Sequence, residues 1–297
     1  MRIFLTGADG MLGTALTSAL AAAPATAGWP VRGVSKADFD IADAEAVRRE
    51  ITAFEPDLVV HSAAHAIVDD CELDPGMAVR VNITGTANVA RACKLVGARL
   101  VYISSDYVFD GSEVPAGGYR EAEVPSPLSV YGLTKLAGER ITGEVPGGLS
   151  VRTSWLFGGA DPKLDHVLAT VERIRRGEPV SLIADQVSCP TYTADLAAAL
   201  VFVLRRAEPV TGTLNIVNTG IASWHEVGMR LMSLLEPSAA SLRPVRMDGS
   251  GFVGARPANS ALDNSLLAEL GFTMPHWSDA VGRFVATLPA PAVEAAR

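Results

Sequence analysis

Tyr131 and Lys135 stand four residues apart in the run Tyr131-Gly132-Leu133-Thr134-Lys135, a spacing that puts both side chains on one face of a helix. A phenol beside an ammonium suits one kind of step, delivery of a proton to a carbonyl oxygen as hydride reaches the carbon. A free tyrosine has a pKa of about 10 and is a sluggish proton partner at neutral pH. The neighbouring cation is expected to lower that value, and it can also hold the ribose of a nicotinamide. Alone, such a pair is common on exposed helices. Ser105 changes its weight, because it follows an apolar strand-like run, residues 99–104, at the carboxyl edge where α/β sheets bind ligands. Its hydroxyl can bond a substrate carbonyl or the tyrosine oxygen.

A source of hydride is indicated near the amino terminus. Residues 2–6 run into Gly7-Ala8-Asp9-Gly10-Met11-Leu12-Gly13 and then into an amphipathic segment. Gly7 permits a tight strand-to-helix turn, Gly10 lets the backbone approach a pyrophosphate, and Gly13 permits close helix-to-strand packing. The helix opening at Met11 and Leu12 supplies N–H donors and positive potential. The GxxGxxG spacing favours the short-chain type of dinucleotide loop over the older GxGxxG type. A carboxylate at the end of the second strand would bind both ribose hydroxyls and favour NAD. Here the strand ends at Ser35-Lys36, with no acid before Asp38. A hydroxyl and an ammonium suit a 2′-phosphate, so NADPH is the expected cofactor, with NADH as the alternative.

The elements that must position these groups alternate through the first half. Residues 2–6, 31–35, 58–62, 99–104 and 149–153 read as strands, and residues 11–22, 43–54, 75–96 and 130–142 as helices. That order implies an α/β fold of Rossmann-like, doubly wound type, a parallel sheet with helices on both faces. In the second half, helices are expected at 164–176, 193–206, 224–235 and 265–270, with strands at 180–183 and 213–217. Pro and Gly around residues 247–257 suggest loops facing a substrate, and residues 288–297 read as a frayed end. Residues 1–154 are therefore expected to form the nucleotide domain. Residues 155–297 are expected to be mostly a smaller C-terminal substrate-binding cap, with segments returning to the core.

Composition narrows the classes. The 297 residues are 48% hydrophobic and 20% charged with a formal net charge of -8, which argues against nucleic acid and anionic membranes as partners. No segment has the length or flanks of a targeting or spanning sequence. Cys71, Cys93 and Cys189 form no CxxC or Cys/His pattern and read as core thiols of a cytoplasmic protein.

Beyond these derivations, the chain resembles the extended short-chain dehydrogenases, and within them the dTDP-4-dehydrorhamnose reductase family. Residues 104–111, SSDYVFDG, match the family's STDYVFDG with serine at Ser105. Residues 129–139, SVYGLTKLAGE, match its YGxTKLAGE stretch. Arg152-Thr153-Ser154-Trp155 resembles RTSW, Asp185-Gln186 with Pro190-Thr191 resembles DQxGxPT, and residues 256–263 resemble RPxNSxLD. The resemblance implies NADPH-dependent reduction of the C4 ketone of a nucleotide-linked deoxysugar. Tyr131 would protonate the oxygen, Lys135 would tune Tyr131 and bind ribose, and Ser105 would orient the carbonyl. It implies that Asp40 and Ile41 touch the adenine and that Ser62, Ala63 and Ala64 line the cofactor. Val68, Asp106, Tyr107 and Trp155 would line the sugar pocket, and Arg256 would meet the diphosphate.

The sequence departs from that family at residues 61–70, where His65 replaces a usual tyrosine, and at residues 158–165, which lack the usual Asn-Phe. His65 is expected to pack or hydrogen-bond. Some members bridge subunits through magnesium held by glutamates. Ala15 occupies one such position, so neither that metal nor that dimer is implied; a homodimer of another kind stays open. Two alternatives accompany the reading: reduction of another dTDP-linked 4-keto deoxysugar, and a non-catalytic subunit like those that regulate methionine adenosyltransferase.

Overall fold

The computed structural model describes residues 1–237 and 239–289. The first half runs β1 (Ile3–Thr6), α1 (Met11–Ala22), β2 (Val31–Val34), α2 (Ala44–Phe54) and β3 (Leu58–His61). It continues through α3 (Val68–Leu73), α4 (Pro75–Ala78), a π-helical stretch Val79–Gly85, α5 (Thr86–Val96), β4 (Arg99–Ile103), α6 (Val130–Gly143) and β5 (Leu149–Arg152). The second half runs β6 (Leu156–Phe157), α7 (His166–Arg175), β7 (Val180–Ile183), β8 (Val187–Ser188), β9 (Thr191–Tyr192), α8 (Thr193–Leu204) and β10 (Gly212–Asn215). It ends with β11 (Ala222–Ser223), α9 (Trp224–Leu235), β12 (Leu242–Val245), α10 (Ser265–Glu269) and α11 (Trp277–Thr287).

Six strands form one sheet in the order β10-β5-β4-β3-β1-β2, all pairs parallel. β1, β3 and β5 are buried at every residue, as a sheet covered on both faces requires. Ile3 and Leu5 join Leu12, Leu16 and Leu20 of α1 and Leu196 and Leu200 of α8 in one core. Phe4, between them, points the other way and packs with Val47 and Ile51 of α2 and Val89 and Cys93 of α5. The strand order reverses between β1 and β3, so the loops leaving those strands flank the crevice where such sheets take ligands.

A third core forms where α7, α9 and α11 pack around the parallel pair β7 and β12. Residues 75–96, read as one helix, are instead two α-helical pieces joined by the π-helical stretch. A π-helical stretch widens the turn and re-aims side chains, and here it directs Asn82 inward. The sequence reading passes over α3, α11 and the strands β6, β8, β9, β11 and β12. Two-residue strands carry no period, but Ala280, Val281 and Phe284 are buried at helical spacing in α11 and could have been found. The expected fraying of residues 288–297 lies, from residue 290 onward, outside the described residues.

Candidate active site

Gly7 has φ of 68°, a left-handed conformation that a side chain would strain. A Cβ on Gly13 would fall 2.1 Å from the Gly7 carbonyl oxygen, so α1 can start this close to β1 only without one. Gly10 caps α1 in extended backbone, with no side-chain cap and no acid in the first turn. The opening of α1 at Met11 and Leu12 thus presents N–H groups to an anion. Across the crevice, Ser62 donates its hydroxyl to the Thr6 carbonyl at 2.9 Å, and the Ala63 N–H donates to Thr6 Oγ1 at 3.3 Å. Ala64 follows, partly buried. These glycine cradles and the uncapped helix fit a dinucleotide.

At the end of β2, the first acid after the strand is engaged within the turn. Asp38 folds back and accepts from the Ser35 N–H at 2.7 Å and its hydroxyl at 3.0 Å. Those bonds hold the Asp38 carboxyl below its usual range. Lys36 is exposed beside it. Asp40 accepts from the Ala42 N–H and pairs with Arg80, and Ile41 packs against Gly85 of the π-helical stretch.

Tyr131 and Lys135 share a face of α6, whose start is fixed by Ser129 accepting from the Gly132 N–H. Lys135 is 3% exposed; its ammonium donates to the Ile103 carbonyl and lies 4.4 Å from the Tyr102 ring centre. Burial pushes it down to about 7, against the opposing pull of Glu139 one turn on. Burial raises the Tyr131 phenol well above its ordinary value, while the nearby Ser105 hydroxyl works the other way. The expectation that Lys135 lowers Tyr131 is therefore corrected: in the protein alone desolvation wins, and the phenol is kept protonated.

The expected sugar residues divide. Tyr107 stands edge-on to Tyr131 with 5.9 Å between ring centres. Trp155 is partly exposed and stacks on Trp224. Val68 opens α3 under the loop at Gly254. Arg256 donates from Nη1 to Asp69 at 2.8 Å and to the Gly254 carbonyl, and lies over the Phe252 ring, so in the protein alone it forms a salt bridge. Asp106 is 2% exposed and surrounded by serine hydroxyls.

Several partners carry no signal in the sequence reading. Asn82, buried on the π-helical stretch, clamps the His65 main chain through both its amide atoms and donates to Thr134 beside Lys135. Glu139 and Arg152 form a buried ion pair. Asp165 accepts from four backbone N–H groups, those of Gly158, Gly159, Val167 and Leu168. That explains the unusual stretch 158–165 as a built helix start.

A glycine-loop crevice with serine, tyrosine and lysine gathered at the same sheet edge defines a Rossmann-like protein of the short-chain dehydrogenase/reductase class. The RmlD substrate-binding-domain family matches residues 1–289. The chain belongs to that family. A dTDP-4-dehydrorhamnose reductase of Streptomyces griseus is 37% identical, over 94% of this chain and 91% of its own. One from Mycolicibacterium smegmatis is 34% identical, over 97% and 86%. Among solved structures, a dTDP-4-dehydrorhamnose reductase from Bacillus anthracis in complex with NADP superimposes with a TM-score of 0.89 at 34% identity, covering 97% of this chain and 99% of that one.

Proposed function

We propose that the chain reduces the C4 ketone of a nucleotide-linked deoxysugar with NADPH, converting dTDP-4-dehydro-L-rhamnose to dTDP-L-rhamnose. The observation that carries the reading is the placement of Ser105, Tyr131 and Lys135 together at the sheet edge beside the glycine loop. NADPH, when bound, supplies the hydride. Gly7, Gly10, Met11, Leu12 and Gly13 hold its pyrophosphate, Ser62, Ala63 and Ala64 line its path, and Asp40 and Ile41 meet the adenine. Ser35 and the exposed Lys36 meet the 2′-phosphate. Tyr131, kept protonated by burial, gives its proton to the C4 oxygen, and Lys135 holds the nicotinamide ribose.

Val68, Tyr107 and Trp155 line the sugar, the indole of Trp155 offering a flat apolar surface to the deoxyhexose. Arg256 reaches the diphosphate through its Nε–Nη2 edge, since only Nη1 is taken by Asp69 and Gly254; a guanidinium fork suits phosphate. Residues 1–154 then carry the cofactor, and residues 155–297 carry the cap apart from the stretch that returns to the sheet. Among the described residues no helix is long and apolar enough to cross a membrane. The three buried, unpaired cysteines agree with a reducing cytoplasm.

The test follows NADPH oxidation with dTDP-4-dehydrorhamnose and with other nucleotide-linked 4-keto deoxysugars, for the wild type and Tyr131→Phe. Turnover is expected to fall about 10²–10⁴-fold in the variant, the range for a lost general acid, with cofactor still bound. No turnover of any 4-keto sugar by a wild type that binds NADPH would overturn the proposal. Preference for a different sugar in the panel would overturn the rhamnose assignment alone.

A further inference from the structure

Two neighbouring residues of β4 anchor the Lys135 ammonium. It donates to the Ile103 carbonyl, and it stands over the Tyr102 ring, 4.4 Å from the ring centre. An ammonium carries three donors, so this grip leaves others free for a ribose. Lys135 is 3% exposed and Tyr102 is 1% exposed, so the charge has little water around it. The negative face of an aromatic ring attracts a cation most strongly where water is excluded.

The Tyr102 hydroxyl gives the ring no other polar purpose. It is buried and has no hydrogen-bond partner among the described residues, an arrangement that costs stability. α6 meets the ring at Gly138, where a Cβ would fall 2.3 Å from the Tyr102 hydroxyl oxygen and from Cζ. Tyr131, Lys135 and Gly138 share one face of α6. The glycine that admits the ring therefore also brings the lysine over it.

The titratable groups around the ammonium offer it little else. Glu139, one turn on, attracts it, but the Glu139 oxygens already accept from Arg152 and Ser104. Cys71, on α3, is held as a neutral thiol, pushed up to about 11 by burial. His61, on β3, is pushed down to about 3 by burial and stays neutral. Tyr131, one turn earlier, keeps its proton.

We infer that Tyr102 is a positioning residue: its ring face holds the Lys135 ammonium charged and in place to grip the nicotinamide ribose. This deepens the reductase reading and rests on the role that reading gives Lys135. Burial works against the charge, and the ring face works for it. NADPH affinity should therefore fall on the alkaline side, where Lys135 loses its proton, and a weaker ring face should bring that fall to lower pH.

The test replaces Tyr102 by phenylalanine and then by its mono-, di- and trifluorinated forms, which keep the shape while draining negative charge from the ring face. NADPH affinity is read by fluorescence titration across a range of pH. Tyr102→Phe is expected to keep the alkaline limb where the wild type has it. Each added fluorine should move the limb to lower pH, by about one pH unit over the series. Carbon-13 NMR of the lysine Cε, assigned by difference from Lys135→Met, should show the Lys135 titration moving in the same order in the cofactor-free protein. A limb that stays in place across the series would overturn the inference, as would one that moves as far in Tyr102→Phe as in the trifluorinated protein. Should the fluorinated proteins not fold, Tyr102→Leu is measured, which fills similar space without a π face; its limb should also lie at lower pH, and a limb at the wild-type position would sink the idea. Neither readout uses a sugar, so failure of this inference is told apart from failure of the reductase reading.

Discussion

The indole of Trp155 lies flat on that of Trp224, with 4.1 Å between ring centres and 6° between planes, although the Trp155 backbone sits at φ of 42°. A bulky residue in that region costs about 1–3 kcal/mol. An aromatic stack returns about 0.5–1.5 kcal/mol beyond burial. His166 meets Trp224 edge-on at 4.4 Å, which braces the stack from α7. Trp224→Ala is expected to raise KM for the nucleotide sugar about three- to tenfold, the equivalent of that stacking energy, with a smaller effect on kcat. Trp224→Phe should restore most of it; equal KM values in wild type and Trp224→Ala would show that Trp155 needs no brace.

Lys135 and His61 are both held below their ordinary values by burial, Lys135 from 10.5 to about 7 and His61 from 6.5 to about 3. In each window the unfolded chain binds a proton that the folded chain does not, so stability rises with pH across it. For Lys135 the gain is complete above the unfolded value and is lost as pH falls toward about 7; for His61 it is lost between 6.5 and about 3. Urea midpoints of the cofactor-free protein should climb from about pH 7 to about pH 9, and Lys135→Met should flatten that climb. A variant with an undiminished slope would refute the assignment.

Glu139 and Arg152 are 7% and 3% exposed and bonded through both atoms of one guanidinium edge, Nε to Oε1 at 2.9 Å and Nη2 to Oε2 at 2.8 Å. Ser104 adds a donor to Oε1 at 2.6 Å. Removing one partner of such a pair leaves a buried charge and costs about 3–5 kcal/mol. Chemical denaturation should show that loss for Glu139→Leu and for Arg152→Met separately, and recovery of most of it in the double variant.

Lys36 is the exposed cation beside the Ser35–Asp38 turn. Because the Asp38 carboxylate is already occupied by Ser35, the exposed lysine can face a 2′-phosphate. Lys36→Glu should weaken NADPH binding about tenfold or more, roughly 1.4 kcal/mol, and leave NADH almost unaffected. Parallel fluorescence titrations compare them, and equal weakening of both cofactors would remove the role given to Lys36.

Much of the first half could be read from pattern alone, because a parallel sheet with two covered faces writes itself as short apolar runs between helices. The glycine loop could be read because each glycine answers a steric need that no other residue meets. Ser105, Tyr131 and Lys135 come together as their spacing implies, but the electrostatics do not follow from spacing. The phenol responds to burial, which depends on the packing of Tyr107, Ser105 and Asp106 around it. The serine cluster joins residues 48, 82 and 154 positions from Asp106, and Arg256 finds Asp69 across 187. Such meetings have no local period, and only the folded chain makes them.

β10 is laid down on the outer edge of β5, and α8 covers Leu12, Leu16 and Leu20 of α1, yet both come from beyond residue 190. During synthesis, a chain that has emerged only as far as β5 has an open strand edge and an uncovered leucine stripe, the features that template aggregation. The cofactor-binding half cannot finish folding until Asn215 has left the ribosome. The protein therefore matures as one unit, and a fragment cut after residue 154 should be sticky and short-lived instead of a free-standing nucleotide binder.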